Sequence, residues 1–407
     1  MKKIHFSEWG IDSPRYWGML ALLGAFIAVA GLSVLYMEHN GHWVTGMTNQ
    51  IVWGMPHVFA IFLIVAASGA LNVASIGTAF DKKVYKPLGR LSALLAITLL
   101  AGGLAVLVLD LGQPGRLLIA MTHYNFKSIF AWNIYLYMGF MAVVALYIWF
   151  MMDWRMNKYY KPVGILAFLW RIILTTGTGS IFGFLVARQG YDAAIMAPMF
   201  VIMSFAYGLA VYILVLMFTF KVDGREVGDV VLRRLKNLLG VFAAAVFYFT
   251  LVYHLTNLYG TENHAYEAFI LRDGGIYTLL FWGGWVFVGC LLPIGIVYHP
   301  SLGKTRGGII AAATSVILGG LATVYVIVIG GQAFPMAIFP GKTIVASGFF
   351  DGVNGQPFLY SPTLAETLLG IGGFALTLML TFVAIRVLRF LPASLADEVA
   401  DPHYAKS

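Results

Sequence analysis

The sequence is short of charge and almost without cysteine. Of its 407 residues only 11% are Asp, Glu, Lys or Arg, against about 25% in a soluble domain. A chain so poor in charge cannot cover its own surface in water. The one cysteine, Cys290, lies in an apolar run. A lone thiol excludes an internal disulfide and an iron–sulfur cluster held by this chain, since clusters need several thiolates. The P-loop pattern, the His-Glu-x-x-His zinc pattern and paired Cys-x-x-Cys are all missing, which removes the usual phosphate and metal-hydrolase chemistries. Acids are missing from the interior of the apolar runs on one side of the chain's topology, so a full proton channel has no supporting residues there.

What is present is apolar length. Hydrophobic residues make up 60% of the chain, in runs near the 20 residues needed to cross roughly 30 Å of hydrocarbon. The runs fall at about 16–36, 53–79, 88–109, 128–151, 164–187, 195–220, 238–259, 276–298, 307–331 and 366–389. The expected fold is therefore an all-α integral membrane protein, one polytopic domain over 1–407 with about ten transmembrane helices. Ala28-Val29-Ala30 has the outline of a signal-peptidase site, but the first run continues past it and reads as a retained span. Spans two to five and six to nine are expected to form two four-helix bundles, with spans one and ten flanking. Pro56 and Pro198, each near the start of a bundle, hint at an internal repeat.

The formal net charge is +8, and its placement assigns it to topology rather than to nucleic acid. The N-terminus, 80–90, 152–163, 221–237, 299–306 and the C-terminus, with the helix-end Arg15, Arg386 and Arg389, hold 20 of the 26 Lys and Arg. The alternate segments hold Arg116, Lys127, Arg188, Arg272 and Lys342, and Arg171 lies within a span. Positive charge stays inside, so both termini are expected in the cytoplasm. The segment 332–365, rich in Gly, Pro and Phe, is expected as a long outer, periplasmic loop. Trp43, Trp53, Trp132 and Trp154 near span ends fit an interfacial belt.

Ionisable groups in lipid are expensive and need a reason. His57, Asp110, His254 and Arg171 are the charged or chargeable ones, with Asn72, Asn133, Asn257, Thr175 and Thr178 as neutral partners. The topology gathers His57, Asp110, Asn133 and Tyr135 near the outer surface, and the loop after span three adds Arg116, His123 and Tyr124. Two-electron, two-proton chemistry on a quinone needs such groups to bond the carbonyl oxygens and exchange protons around an apolar slot. The plainer alternatives are an Asp110–Arg116 pair closing a turn and a helix-packing bond for His57. Arg171, with Thr175 and Thr178, either lines a polar path or packs against helix carbonyls. His57 and His254 could together ligate a b-type haem, but they fall in different bundles and no second pair exists, so haem b is not expected.

Two segments carry a resemblance. Asp110-Leu111-Gly112-Gln113-Pro114-Gly115-Arg116, followed by His123-Tyr124-Asn125-Phe126-Lys127-Ser128, resembles the D-x-G-x-P-x-R…S turn of the NrfD/PsrC family of polysulfide-reductase-type membrane subunits. Trp53-Gly54-Met55-Pro56-His57, with Ser68-Gly69-Ala70 further on, resembles the start of that family's quinone bundle. The ten spans are similar to the longer branch, and the wording of 56–77 and 123–137 is most like its DsrP-type members. Gln113 stands where many members have Arg. The resemblance implies a subunit that passes electrons between the quinone pool (menaquinone or ubiquinone) and a periplasmic, ferredoxin-like iron–sulfur subunit. It also implies a link to dissimilatory sulfur metabolism in a DsrMKJOP-type complex of a bacterial or archaeal cytoplasmic membrane. The other partners would be a multihaem cytochrome c, a haem-b membrane subunit and a cytoplasmic iron–sulfur subunit. Carried over by position, the quinone site comprises His57, Asp110, Arg116 and His123. His57 bonds a quinone oxygen, Asp110 handles protons, and Arg116 orients Asp110 or steadies negative charge. Two other classes stay open: a structural anchor without bound quinone, and a secondary transporter, to which the scarcity of midplane charge is unfavourable.

Overall fold

The computed structural model describes residues 4–336, 359–401 and 403. Among them ten helices are long and apolar enough to cross a membrane: α1 (Ser13–Asn40), α2 (Met55–Thr78), α3 (Lys83–Leu109), α4 (Ile129–Met152), α5 (Asn157–Gly183), α6 (Met196–Val222), α7 (Asp229–Tyr259), α8 (Ile276–Tyr298), α9 (Arg306–Ala333) and α10 (Leu364–Val387). The fold is all-α and membrane-spanning, because in lipid a helix satisfies every backbone group within itself. Short helices at Leu117–Thr122 and His264–Ala268 lie between spans. Most of the expected outer segment, 337–358, lies outside the described residues. Its first residues belong to α9, which runs on to Ala333 and so places Gln332 in a helix end.

Local chemistry starts the helices where they start. Pro occupies the first turn of α1 and of α2, where its missing N–H costs nothing. Thr305 caps α9 by accepting from Gly308 N, and Thr363 with Glu366 forms a full capping box on α10.

Helices α2–α5 close into one ring, α2 against α3 and α5, and α4 against the same two. Helices α6–α9 close into another, α6 against α7 and α9, and α8 against the same two. The bundles join where α2 meets α6, and α1 pairs with α10 beside α3. At that junction a Cβ on Gly69 would lie 1.5 Å from Ser204 O, and one on Gly208 2.1 Å from Ala70 N. The two backbones are therefore in direct contact, the close approach that small residues allow between membrane helices. Nearby, Arg171 is fully buried and takes the packing alternative. It donates to Asn72 Oδ1 (2.9 Å) and Ser68 O (3.5 Å), with its guanidinium over the Phe168 and Phe205 rings. Helices α8 and α9 widen into π-helix over Leu280–Leu291 and Val326–Gly330.

At the end that carries both termini, the chain ends are tied together. Phe6–Ser7 (β1) pairs antiparallel with Leu391–Pro392 (β2). Trp9 is buried; its indole donates to Thr219 O (3.0 Å), its N–H to Ile385 O (2.8 Å), and its carbonyl accepts from Arg386 (2.7 Å). Arg225 reaches Pro392 O at 3.0 Å.

Candidate functional site

At the opposite end, the residues before α2 are held rigidly. Gln332 Oε1 accepts from Val52 N (2.9 Å) and Trp53 N (3.0 Å), and its amide donates to Trp53 O (3.0 Å). Arg188 donates to Gln332 O and Gln50 O, each at 2.8 Å. Burial pushes the Arg188 guanidinium below its ordinary range, and the two carbonyls compensate part of that cost. Gly54 follows, where a Cβ would lie 2.5 Å from Glu366 Oε1 and 2.7 Å from the Tyr360 hydroxyl. That oxygen of Glu366 accepts from Tyr360 (2.6 Å), and the Tyr360 hydroxyl accepts from Met55 N (2.7 Å).

This clamp fixes the Trp53 ring, which stacks on His57 at 6.3 Å and 28° and packs against Phe130, Phe182 and Tyr191. His57 lies in the first turn of α2. Its Nδ1 is 2.9 Å from Oδ2 of Asp110, the residue that ends α3. The imidazole is 20% exposed and the carboxylate 1%. The two are close but not aligned: neither Asp110 oxygen, nor His57 Nδ1, has a hydrogen-bond partner of good geometry among the described residues. A buried carboxylate ordinarily collects donors, so this one retains acceptor capacity beside an imidazole that solvent or lipid can reach.

The remaining residues singled out from sequence are distributed around this pair. Arg116 does not pair with Asp110. It is exposed and has no side-chain bond or ion pair among the described residues, because the 3₁₀ turn Pro114–Arg116 carries it to the surface while His57 takes the place beside Asp110. His123 is exposed, with Nδ1 at 2.9 Å from Thr122 Oγ1. The Tyr124 ring packs on that of Tyr135 at 5.4 Å, and the Tyr135 hydroxyl donates to Met121 O. The buried Asn133 donates to Ile129 O (2.9 Å) and Gly177 O (3.0 Å), binding α4 to α5. Phe130 is the residue of α4 that borders Trp53 directly. Gln332, Arg188 and Glu366 were not among the sequence candidates. Of these, only Glu366 left a local mark, the capping pattern Thr363-x-x-Glu366.

His254, considered with His57 for haem iron, lies in the second bundle against a carboxylate of its own, Glu267, at 2.7 Å. Each histidine thus engages a separate acid in a separate bundle.

Residues 43–336, a stretch containing the clamp, the His57–Asp110 pair and both bundles, match the family described as "Polysulphide reductase, NrfD". The chain belongs to the NrfD family. Its similarity extends to whole membrane subunits. It is 26% identical to the Hdr-like menaquinol oxidoreductase integral membrane subunit of Archaeoglobus fulgidus, covering 98% of this chain and 99% of the relative. It is 23% identical to a selenate reductase subunit of Mesobacillus selenatarsenatis, over 89% and 92% of the two chains. It is also 23% identical to a putative dimethyl sulfoxide reductase membrane subunit of Halobacterium salinarum, over 94% and 92%. The family match covers α2 to α9 and leaves α1 and α10 outside it.

Proposed function

We propose that this NrfD protein is the quinone-interacting membrane subunit of a multi-subunit electron-transfer complex, with His57 and Asp110 as the polar end of the site. One observation carries this reading: a buried carboxylate with unused acceptor capacity, 2.9 Å from a partly exposed imidazole that is stacked on an aromatic wall. A quinone head group needs an apolar slot and a few convergent polar groups. Trp53, Phe130 and Phe182 supply the first, and His57 and Asp110 the second. That the Archaeoglobus relative is named for menaquinol oxidation supports the same assignment.

A quinol–quinone couple supplies two electrons and two protons. His57 bonds the head-group oxygen and passes its proton toward Asp110, which holds it within the buried pair, while the second proton leaves to the outer aqueous side past the partly exposed imidazole. Trp53 keeps the imidazole in plane, and the Gln332–Arg188 clamp keeps Trp53 in place. Tyr124 and Tyr135 form the rim. Asn133 sets the spacing of α4 and α5 behind it. The exposed Arg116 carries cationic charge to the surface beside the rim, with His123 in the same loop.

The concentration of Lys and Arg at the terminus-bearing end puts that end in the cytoplasm, and the site on the periplasmic side of a bacterial or archaeal cytoplasmic membrane. Electrons then pass to or from a ferredoxin-like iron–sulfur subunit docked outside, since this chain's single cysteine cannot hold a cluster. Following the DsrP-type resemblance, the complex serves dissimilatory sulfur metabolism, with a multihaem cytochrome c, a haem-b membrane subunit and a cytoplasmic iron–sulfur subunit as further partners.

The test is steady-state quinol turnover by the purified complex, with bound quinone measured by mass spectrometry, for Asp110→Asn and His57→Gln. Loss of one charge-assisted bond of about 1.5–3 kcal/mol predicts a fall in kcat/KM of about 10- to 150-fold with assembly intact. Wild-type kinetics and quinone content in both variants would show that the subunit is an anchor only.

A further inference from the structure

The second bundle holds a buried polar cluster that the quinone reading does not use. His254, near the end of α7, has Nδ1 2.7 Å from Glu267 Oε2, and Asn257 donates to Glu267 Oε1 at 2.8 Å. Glu267 comes from the short helix His264–Ala268 and is 0% exposed. Among the described residues its ion-pair partner is His254, with no Lys or Arg in the cluster. An ionised carboxylate in such a place is costly unless paired, and the His254 imidazole and the Asn257 amide are the groups that offset that cost.

The other face of the imidazole is the informative one. His254 Nε2 and Trp285 Nε1 are both enclosed, and neither has a hydrogen-bond partner among the described residues. The two rings lie 6.0 Å apart, with Phe281 at 4.7 Å from His254. Phe281 and Trp285 come from the π-wound part of α8, a winding that is frequent at functional sites. An indole N–H only donates, whereas Nε2 donates or accepts according to its charge. A water molecule between them satisfies both atoms and exchanges a proton with Nε2. A quinol ring is excluded by enclosure: His254 is 6% exposed, Trp285 1% and Phe281 3%.

We propose that His254 and Glu267 form a second proton-binding site, which holds one exchangeable proton and a bound water and takes no quinol. Charged imidazole releases its Nε2 proton through the bound water to bulk solvent and remains bonded through Nδ1–H to the Glu267 carboxylate, to which Asn257 also donates; no electrons move, and a proton from solvent reloads the pair. The groups facing it are Tyr253 and Asn257 on α7, Tyr266 on the short helix, and Trp285 on α8. The Tyr253 hydroxyl donates to Gly190 O at 3.1 Å. The same segment sends Arg188 to the clamp and Tyr191 to the Trp53 ring, at 6.4 Å. One loop thus touches both bundles, although the proposal does not depend on what binds at the first site.

The experiment is pH-difference infrared spectroscopy of the purified complex in H₂O and D₂O, for wild type, Glu267→Gln, His254→Gln and Trp285→Phe. Expected are imidazole or carboxyl bands that titrate in wild type, disappear in the first two variants, and shift in Trp285→Phe, which keeps the packing but removes the donor to the water. Asp110→Asn should leave these bands in place, so failure of the quinone reading and failure of this one are separately visible. Superimposable spectra for wild type and Glu267→Gln, or in its place Trp285→Phe should Glu267→Gln not assemble, would overturn the proposal.

Discussion

The junction of the two bundles can be tested with a single methyl group. In Gly69→Ala the new carbon would sit 1.5 Å from Ser204 O and 3.2 Å from Gly208 Cα; in Gly208→Ala it would sit 2.1 Å from Ala70 N and 2.5 Å from Ala66 O. All four obstacles are backbone atoms, with no rotamer to yield, and most lie well inside the 3.4 Å at which ordinary contact begins. Relief requires α2 and α6 to move apart over their length. Overpacking costs about 1–3 kcal/mol and occasionally more, and the better helix propensity of alanine returns at most about 1 kcal/mol. Gly69→Ala should therefore lose about 2 kcal/mol or more, and Gly208→Ala somewhat less. Gly295→Ala in α8 is the control, since nothing lies within 4 Å of its Cβ, and it should be neutral or slightly stabilising. The assay is thermal unfolding of the purified complex in detergent, with the complement of subunits checked alongside. Because α2 also carries His57, quinol turnover should fall with stability in the two junction variants and not in the control. If Gly69→Ala melts with Gly295→Ala, the bundles do not meet backbone to backbone, and the reasoning fails.

Three other substitutions follow from the same geometry. Glu366→Ala leaves Gly46 N, Thr363 N, the Thr363 hydroxyl and the Tyr360 hydroxyl without the carboxylate they share; it should destabilise by about 3 kcal/mol or more, with Glu366→Gln milder, as read from thermal midpoints. Gln332→Leu removes the acceptor of Val52 N and Trp53 N and should raise the quinol KM about fivefold, through a loss near 1 kcal/mol, in a complex that still assembles; a wild-type KM would show that Trp53 does not need the clamp. Arg171→Met replaces a buried cation that has no carboxylate partner among its bonds by an apolar chain of similar length. Its thermal midpoint should match or exceed wild type, within about 1 kcal/mol, and a collapse would mean that the charge itself holds α5 to α2.

Hydropathy alone displays the ten spans, because the lipid requirement acts on composition and needs no partner residue to be known. The pairing of the bundles is legible to the same degree, since short connections force neighbours together. The site was readable only in its charged members. His57 and Asp110 stand out because each is anomalous in an apolar run, but Asp110 was open to pairing with Arg116, six residues away, and spacing cannot tell which side of a turn a guanidinium takes. Glu267 lies in a mixed-polarity stretch, where a carboxylate attracts no notice until the short helix folds it against His254. Gln332 fell one residue past the expected end of span nine, in the last turn of α9, which runs on to Ala333. Glu366 looked like the polar edge of span ten, although its capping pattern was there to be read.

The tie at the terminus-bearing end has a consequence for how the protein is made. Phe6, Ser7 and Trp9 emerge from the ribosome before the first of the ten spans, yet their partners Ile385, Arg386, Leu391 and Pro392 emerge only with or after the tenth. The N-terminal segment must therefore wait, with its strand edge unpaired and the Trp9 backbone unbonded, until the tenth helix has been inserted. A chain cut short at any earlier span can never close this clasp. The exposed edge is then a standing mark of incomplete synthesis.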